Sequence, residues 1–386
     1  MTTVLYLRNN GRHLNSLFVA GARRFARLKG WNLQVIDEGD HRSIRRIIDF
    51  WKPVGCILDD CSDSGDAYLR DSKKLPVVAI DGRNDSCSKN RFRVMHDSVA
   101  TAEMAARELM ALGREHYAFV GFRFERFWVG VRKKAFLKAL EINGKGCDVF
   151  PSEGMRTWQD AALGRWLQKL PKPCSLFAIN DEIGAMILST CTHLGISVPD
   201  DIAVLSVDDE EEICANTVPT LSSIHTDAEQ AGYLAAEMLN SRLQNPDLKP
   251  YCRFYGPVMA VSRESTAVSG NARVDSRVRK GLDYIRDHIG EPLSARDVVR
   301  AMGCSERLAE LRFREVLGRS VRDEIQNVRI NRVFFYLRCT QQSLGSIANF
   351  VGLGDPASLR RFFRQKTGQS LGAWRKKSAT GETARA

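Results

Sequence analysis

Acids and amides stand at four places where an apolar run breaks off. Leu58 gives way to Asp59-Asp60, Ile80 to Asp81, Ile179 to Asn180-Asp181, and Val207 to Asp208-Asp209. Gathered on one rim, such groups accept and donate several hydrogen bonds at once, and a bond to a charged group contributes about 1.5–3 kcal/mol. A polyhydroxylated molecule such as a sugar suits that chemistry. Other readings stay open for the same residues. Asp181 precedes a helical pattern, where an aspartate caps the helix for roughly 1 kcal/mol. The acidic run Asp208–Glu212 could hold a hard cation or serve general acid–base catalysis. No strong helical pattern follows Asp208, which favours a ligand role there. A second set of chemical groups lies near the C-terminus. Asp355-Pro356 is a helix start, and Leu359 and Phe363, four apart, take the inner face. Ala357, Ser358, Arg360, Arg361 and Arg364 are left outward. An arginine can bridge O6 and N7 of guanine, for about 1–3 kcal/mol of discrimination, whereas other basic residues hold phosphates.

The elements that must position the first set alternate regularly. Val4–Leu7, Leu33–Ile36, Val54–Leu58, Val77–Ile80, Ala118–Val120, Leu176–Ile179 and Ala203–Val207 are strand-length apolar runs. Between them Leu14–Lys29, Ser98–Leu112, Val129–Ile142, Trp158–Leu170 and Asp181–Leu194 carry apolar residues at three- and four-residue spacing. This alternation predicts parallel sheets flanked by helices. In such folds ligands bind beyond the carboxyl ends of the strands, where the acids and amides stand.

The C-terminal set belongs to a repeat. Leu293–Gly318 and Leu344–Gly368 superpose as two copies of one helix-turn-helix pattern: Val298-Val299 meets Ile347-Ala348, Met302-Gly303 meets Val351-Gly352, and Phe313 meets Phe363. Helix-turn-helix units read DNA through their second helix. Charge divides accordingly. Residues 270–386 hold 23 Lys+Arg against 12 Asp+Glu, and residues 1–269 hold 34 of each. A neutral part followed by a basic one is the footprint of a nucleic-acid-binding regulator, or of a nucleic-acid enzyme with a binding tail.

Other function classes lose ground. There is no Walker loop, no GxSxG, no HExxH and no GxGxxG opening a helix, so no cofactor or metal is expected, and a sugar- or nucleic-acid-modifying enzyme is the weaker alternative. The ten cysteines form no CxxC pair and no Cys/His cluster at zinc spacing. No run of about 18 apolar residues suggests a membrane span. The start Met1-Thr-Thr-Val-Leu-Tyr-Leu-Arg lacks the pattern of an export signal, so the expectation is a cytoplasmic protein with reduced, buried thiols.

Two family resemblances follow from particular segments. Phe177-Ala-Ile-Asn-Asp-Glu-Ile-Gly-Ala, Gly195-Ile-Ser-Val-Pro-Asp-Asp-Ile-Ala-Val-Leu-Ser-Val-Asp-Asp and Pro219-Thr-Leu-Ser-Ser-Ile resemble the effector domain of LacI/GalR regulators and periplasmic sugar-binding proteins. That resemblance covers most of 1–265. It implies an α/β fold of two lobes with a sugar between them, held by Asn180 and Asp208, by Arg132 of Arg-Lys-Lys-Ala-Phe, and by Trp158 against the ring. Asp181 and Asp59 are further ligand candidates. LacI/GalR regulators carry a helix-turn-helix ahead of the first effector strand, whereas this sequence opens on that strand. From Arg277 to Lys377 it resembles instead the AraC/XylS DNA-binding domain, an all-α domain with two helix-turn-helix units. Arg361 falls where that family places a base-reading arginine, with Ser358, Arg360 and Arg364 as further DNA contacts. The first unit departs from the pattern: Leu311 stands where a basic or polar reader is usual and Ala309 where a larger apolar residue is usual. Arg307 is then its best remaining base-reading candidate, while Arg312 and Arg314 either contact phosphates or lie away from DNA.

The expected division is therefore 1–263 for the sugar-binding domain, 264–276 for a linker and 277–386 for the DNA-binding domain. The Trp158-Gln159 pair, the run Trp166–Pro171 and Asp59 resemble the pentose-responsive pattern and imply D-xylose as effector. The expected function is a sugar-responsive activator of a pentose operon. Its implied partners are double-stranded DNA, a second copy of itself in a homodimer, and RNA polymerase, with no membrane.

Overall fold

The computed structural model describes residues 2–8, 13–37, 44–59, 75–81, 91–122, 127–151, 161–267, 276–317, 319–339 and 342–372. Along the chain come β1 (Thr2–Arg8), α1 (His13–Lys29), β2 (Trp31–Asp37), α2 (Ile44–Trp51), β3 (Gly55–Asp59), β4 (Val77–Ile80) and β5 (Phe92–His96). Next are α3 (Ser98–Met110), β6 (His116–Val120), α4 (Phe127–Ile142), β7 (Asp148–Val149), α5 (Ala162–Lys169), β8 (Cys174–Ala178), α6 (Asp181–His193), β9 (Ile202–Asp208), α7 (Glu211–Cys214) and β10 (Ser222–Thr226). Then follow α8 (Ala228–Gln244), β11 (Cys252–Tyr255), β12 (Pro257–Val261) and a 3-10 turn, Glu264–Thr266. The rest is helical: α9 (Ser276–His288), α10 (Ala295–Met302), α11 (Glu306–Leu317), α12 (Val321–Cys339), α13 (Leu344–Phe350) and α14 (Pro356–Thr367).

The chain divides into two units. One takes 1–97, 126–128 and 227–256. Its sheet has the order β11-β5-β4-β3-β1-β2, and every neighbouring pair is parallel. Residues 4–7 of β1 and 56–58 of β3 are buried apolar or aromatic, as strands covered on both faces require. Helices α1 and α8 cross at backbone contact. A Cβ on Gly232 would lie 1.8 Å from the Phe18 carbonyl oxygen, and one on Gly21 equally close to that of Glu229. Beside the crossing the rings of Phe25 and Tyr233 meet edge to face at 5.2 Å.

The other unit takes 98–125, 129–226 and 257–386. Its sheet runs β12-β10-β9-β8-β6-β7, parallel except for β12, which pairs antiparallel with β10. The two rings Phe136 and Phe177, 4.9 Å apart, fasten α4 to β8 in its core. The helical part belongs to this unit. Val258, Met259 and Val261 of β12 form one buried cluster with Val278, Leu282, Val298, Met302, Phe313 and Val321, so the first helix-turn-helix is packed on the edge strand. The second has its own cluster of Val333, Ile347, Val351, Leu359 and Phe363.

Two expectations are corrected. The linker does not start at residue 264. Ser265 is fully buried, donates from Oγ to the Val204 carbonyl at 2.6 Å and accepts from the Ser222 N–H at 2.8 Å, which makes the turn part of the sheet. Nor are all thiols reduced: Cys252 is disulfide-bonded, while Cys56, Cys174, Cys191 and Cys214 are free and buried. Among the described residues no helix is long and apolar enough to cross a membrane.

Candidate functional site

In the second unit β8 and β9 are parallel in the register Cys174↔Ile202, and counting on in that register brings Asn180 level with Asp208 beyond the strand ends. Asn180 is the N-cap of α6: its backbone is extended and its Oδ1 accepts from the Ile183 N–H at 3.2 Å. The cap is thus Asn180 and not Asp181, a correction that turns Asp181 inward. Asp181 is fully buried. It accepts from the Ser206 and Ser223 hydroxyls on one oxygen and from the Glu210 N–H at 2.7 Å on the other, so three protein donors engage its carboxyl group. Burial, reinforced by the neighbouring Asp208 carboxylate, pushes Asp181 up to about 8 against the pull of those donors.

Arg132, on α4, is 3% exposed, and its Nη1 donates to the Ile179 carbonyl oxygen at 2.5 Å. That bond fixes the guanidinium at the end of β8, next to Asn180. The backbone of Asp208 and Asp209 is strained, with φ of 111° and 57°. Side chains other than glycine hold such angles only where the surroundings fix them, at about 1–3 kcal/mol each. At Asp209 the fixing groups are visible. Asp209 accepts from Arg263 Nη2 at 2.8 Å and lies 3.1 Å from His225 Nδ1, while its own N–H donates to Ser223 Oγ. Burial pushes the Asp209 carboxyl up, but the His225 bond and the Arg263 charge outweigh it and hold it below the usual range. Arg263 also pairs with Glu211 at 2.9 Å. The acidic run is therefore answered by a buried arginine, and among the described residues no group of His, Cys, Asp and Glu is disposed to hold a metal. Sequence reasoning missed Arg263 and His225. The one signal for them was the excess of acid at 208–212, which needed a cation from elsewhere in the chain.

In the first unit Asp59 ends β3 fully buried, and Tyr6 donates to its Oδ2 at 3.0 Å. Asp81, at the end of β4 with φ 49°, accepts from the His96 N–H at 2.8 Å and the Tyr255 hydroxyl at 2.6 Å. Trp158 lies outside the described residues.

The outward face of the helical part is built by its caps. Asp355 accepts from the N–H groups of Ala357 and Ser358 at 2.8 and 2.9 Å and from the Ser358 hydroxyl at 2.7 Å. Those bonds, led by the Ser358 hydroxyl, hold its carboxyl below the usual range. Pro356 opens α14, and Gly368 in left-handed conformation closes it. With Leu359 and Phe363 fully buried, Arg360, Arg361 and Arg364 are exposed and Ser358 half-buried. On α11 the buried pair is Ala309 and Phe313, and Arg307, Leu311 and Arg314 form the exposed stripe. Arg312 lies off the stripe, half-buried, and its Nη1 pairs with Glu315 at 2.9 Å.

Comparison with known proteins defines the class. Residues 106–266 match the periplasmic binding protein-like domain and residues 298–377 a helix-turn-helix domain, so the chain is a DNA-binding regulator carrying a periplasmic-binding-protein-like domain, not an enzyme. Among proteins it is similar to, the xylose operon regulatory protein of Escherichia coli K12 is 28% identical over 334 residues, 83% of each chain. The protein of that name from Haemophilus influenzae is 24% identical over 306 residues, covering 77% of this chain and 78% of its own. The fold is also that of a solved xylose-binding transcription activator, with a TM-score of 0.57, 24% identity and 97% of both chains covered.

Proposed function

We propose that the chain is a D-xylose-responsive transcription activator that binds double-stranded DNA as a homodimer in the cytoplasm and acts on RNA polymerase. The observation that carries this reading is the joining, in one unit, of Arg132, Asn180 and the strained Asp208 at the carboxyl end of a parallel sheet to paired helix-turn-helix units with outward arginines. The names of the relatives support a pentose. Arg132 and Asp208 are assigned to sugar hydroxyls, and Asn180 is assigned one through the part of its amide that the cap leaves over. Asp181 positions Asp208 without touching sugar, because protein donors engage its carboxyl group. In this reading the sugar-binding part runs to residue 267 and the DNA-binding part starts at 276. The sugar acts by its differential affinity for two arrangements of the chain, the only means by which a ligand shifts a conformational equilibrium.

Calorimetric titration with xylose, arabinose, ribose, glucose and galactose tests the effector, with xylose expected to bind tightest. Asp208→Asn and Arg132→Lys should each weaken binding about tenfold or more, in line with a lost bond to a charged group. Binding to DNA at low salt should persist in both variants. Unchanged sugar affinity in both would reject the assigned contacts, and chemical conversion of any sugar would reject a sensor. Sedimentation of the intact chain, with and without duplex, reads the oligomeric state, and a monomer on DNA would reject the homodimer.

A further inference from the structure

The two helix-turn-helix units share one frame, and at one position they differ in kind. Ala309 and Phe313 of α11 are buried as Leu359 and Phe363 of α14 are. In that frame Leu311 occupies the place of Arg361, the point of the helix turned most directly away from its core. Leu311 is 50% exposed. The exposed side chains one helical turn to either side of it, at 307 and 314, are both arginines. An apolar side chain with a guanidinium on each flank, at the centre of the outward stripe of a second helix, faces what that stripe is built to meet.

The charge of the flanks names the occupant. Arg307 and Arg314, before and after Leu311 on the same face, give the stripe the positive charge that suits a DNA groove, and Leu311 lies between them over its floor. Of all the groups that the four base pairs present in the major groove, one is apolar: the C5-methyl of thymine. A leucine offers no donor or acceptor, so over a G·C pair it would strip water from O6, N7 and N4 and give nothing back.

Resting on the reading of this domain as DNA-binding, we infer that Leu311 is a specificity-determining residue of the first helix-turn-helix, which reads the 5-methyl group of one thymine by apolar contact. The two units then read by different chemistries. Arg361 selects guanine through two hydrogen bonds, and Leu311 selects thymine through a methyl group.

The experiment uses the full chain and a duplex enriched by it from a random library. Each thymine of that duplex is replaced in turn by deoxyuridine, which removes the methyl group and nothing else. The wild-type chain should lose about fourfold in affinity at one thymine, the factor that burial of one methyl-sized group corresponds to. Leu311→Ala should bind the original and that deoxyuridine duplex equally, with an unchanged salt dependence. Because Leu311 is exposed, the variant should keep the wild-type melting temperature. Arg361→Ala should lose discrimination at a guanine and keep the thymine effect. If no deoxyuridine replacement weakens binding, or if Leu311→Ala stays as sensitive to it as wild type, the inference is overturned. It is equally overturned if Leu311→Ala abolishes transcription while leaving thymine discrimination intact, since the leucine then meets a protein. Failure to enrich any duplex overturns the DNA-binding reading and this inference with it.

Discussion

Single side chains at the carboxyl end of the second sheet carry opposing demands, and Asp181 carries the sharpest. Burial and Asp208 favour its protonated form, with a folded-state value of about 8, whereas in the unfolded chain it titrates as an ordinary aspartate near 3.8. Between those values the folded chain binds one proton more than the unfolded one, so its contribution to stability is complete below about 4 and is lost as the pH rises through 8. Melting temperatures recorded from pH 5 to 9 should fall more steeply for wild type than for Asp181→Asn, which has no proton to lose. Equal slopes would mean that the carboxyl group is already ionised. The sequence showed an amide beside an acid after an apolar run, and hence the kind of group that ends β8. It could not show which of the two caps α6, because capping depends on the extended backbone at Asn180 and the inward turn at Asp181 depends on hydroxyls 25 and 42 residues away. Arg263 was unreadable for the same reason, lying 54 residues from the Asp209 it neutralises.

Elements were legible where one face decides them. Val77–Ile80 is β4 to the residue, and the run expected at Ala203–Val207 lies inside β9. Strand β10 was not among the apolar runs, since Ser222-Ser223-Ile224-His225-Thr226 holds a single apolar residue, Ile224. It is an inner strand all the same, because its hydroxyls have partners: Ser222 Oγ lies 2.7 Å from Thr266 Oγ1, and Ser223 reaches Asp181. Patterns of polarity describe exposure only when buried polar groups lack such partners. Among the helices, the turn between α13 and α14 is held from outside its own unit. Arg329 on α12 donates to the carbonyls of Val351 and Leu293 at 3.1 and 3.2 Å. Gly352, with φ 67°, comes so close that a Cβ would lie 2.0 Å from the Glu291 carbonyl oxygen. Gly303, the matching residue of the first unit, meets nothing within 4 Å. Gly352→Ala should therefore cost more than the roughly 1 kcal/mol of an ordinary glycine-to-alanine misfit at positive φ, while Gly303→Ala should not exceed it. Chemical denaturation of the two variants checks the ordering, and equal losses would show that the close approach yields. Asp355→Ala, which removes a cap with three donors, should cost about 1–2 kcal/mol and weaken DNA binding together with the order of the outward face.

For the whole molecule, the neutral front and basic rear seen in the sequence are joined by more than a chain connection. Arg319, just before α12, donates to Glu108 of α3 at 3.0 Å and pairs closely with Glu324, which is 1% exposed. Burial pushes Glu324 up to about 6 despite the Arg319 charge. Removing the arginine would leave two carboxylates facing each other, one of them buried, at a cost of about 3–5 kcal/mol. Arg319→Ala should show that loss at alkaline pH, and acidification should restore part of it, because Glu324, pushed higher still once the arginine is gone, then takes up the proton that removes the unpaired charge. A loss independent of pH would show that the arginine acts by packing alone. Anyone exchanging the reader for another must reckon with β12. Its residues Val258, Met259 and Val261 share a core with α9 to α12, so a graft cut in the stretch 268–275 would set a foreign face against an apolar edge shaped for the original one. Because β12 also pairs with β10 and leads to the Arg263 that holds Asp209, it must stay with the sugar-binding part, and chimaeras whose incoming helices fit Val258, Met259 and Val261 should outlast those whose helices do not.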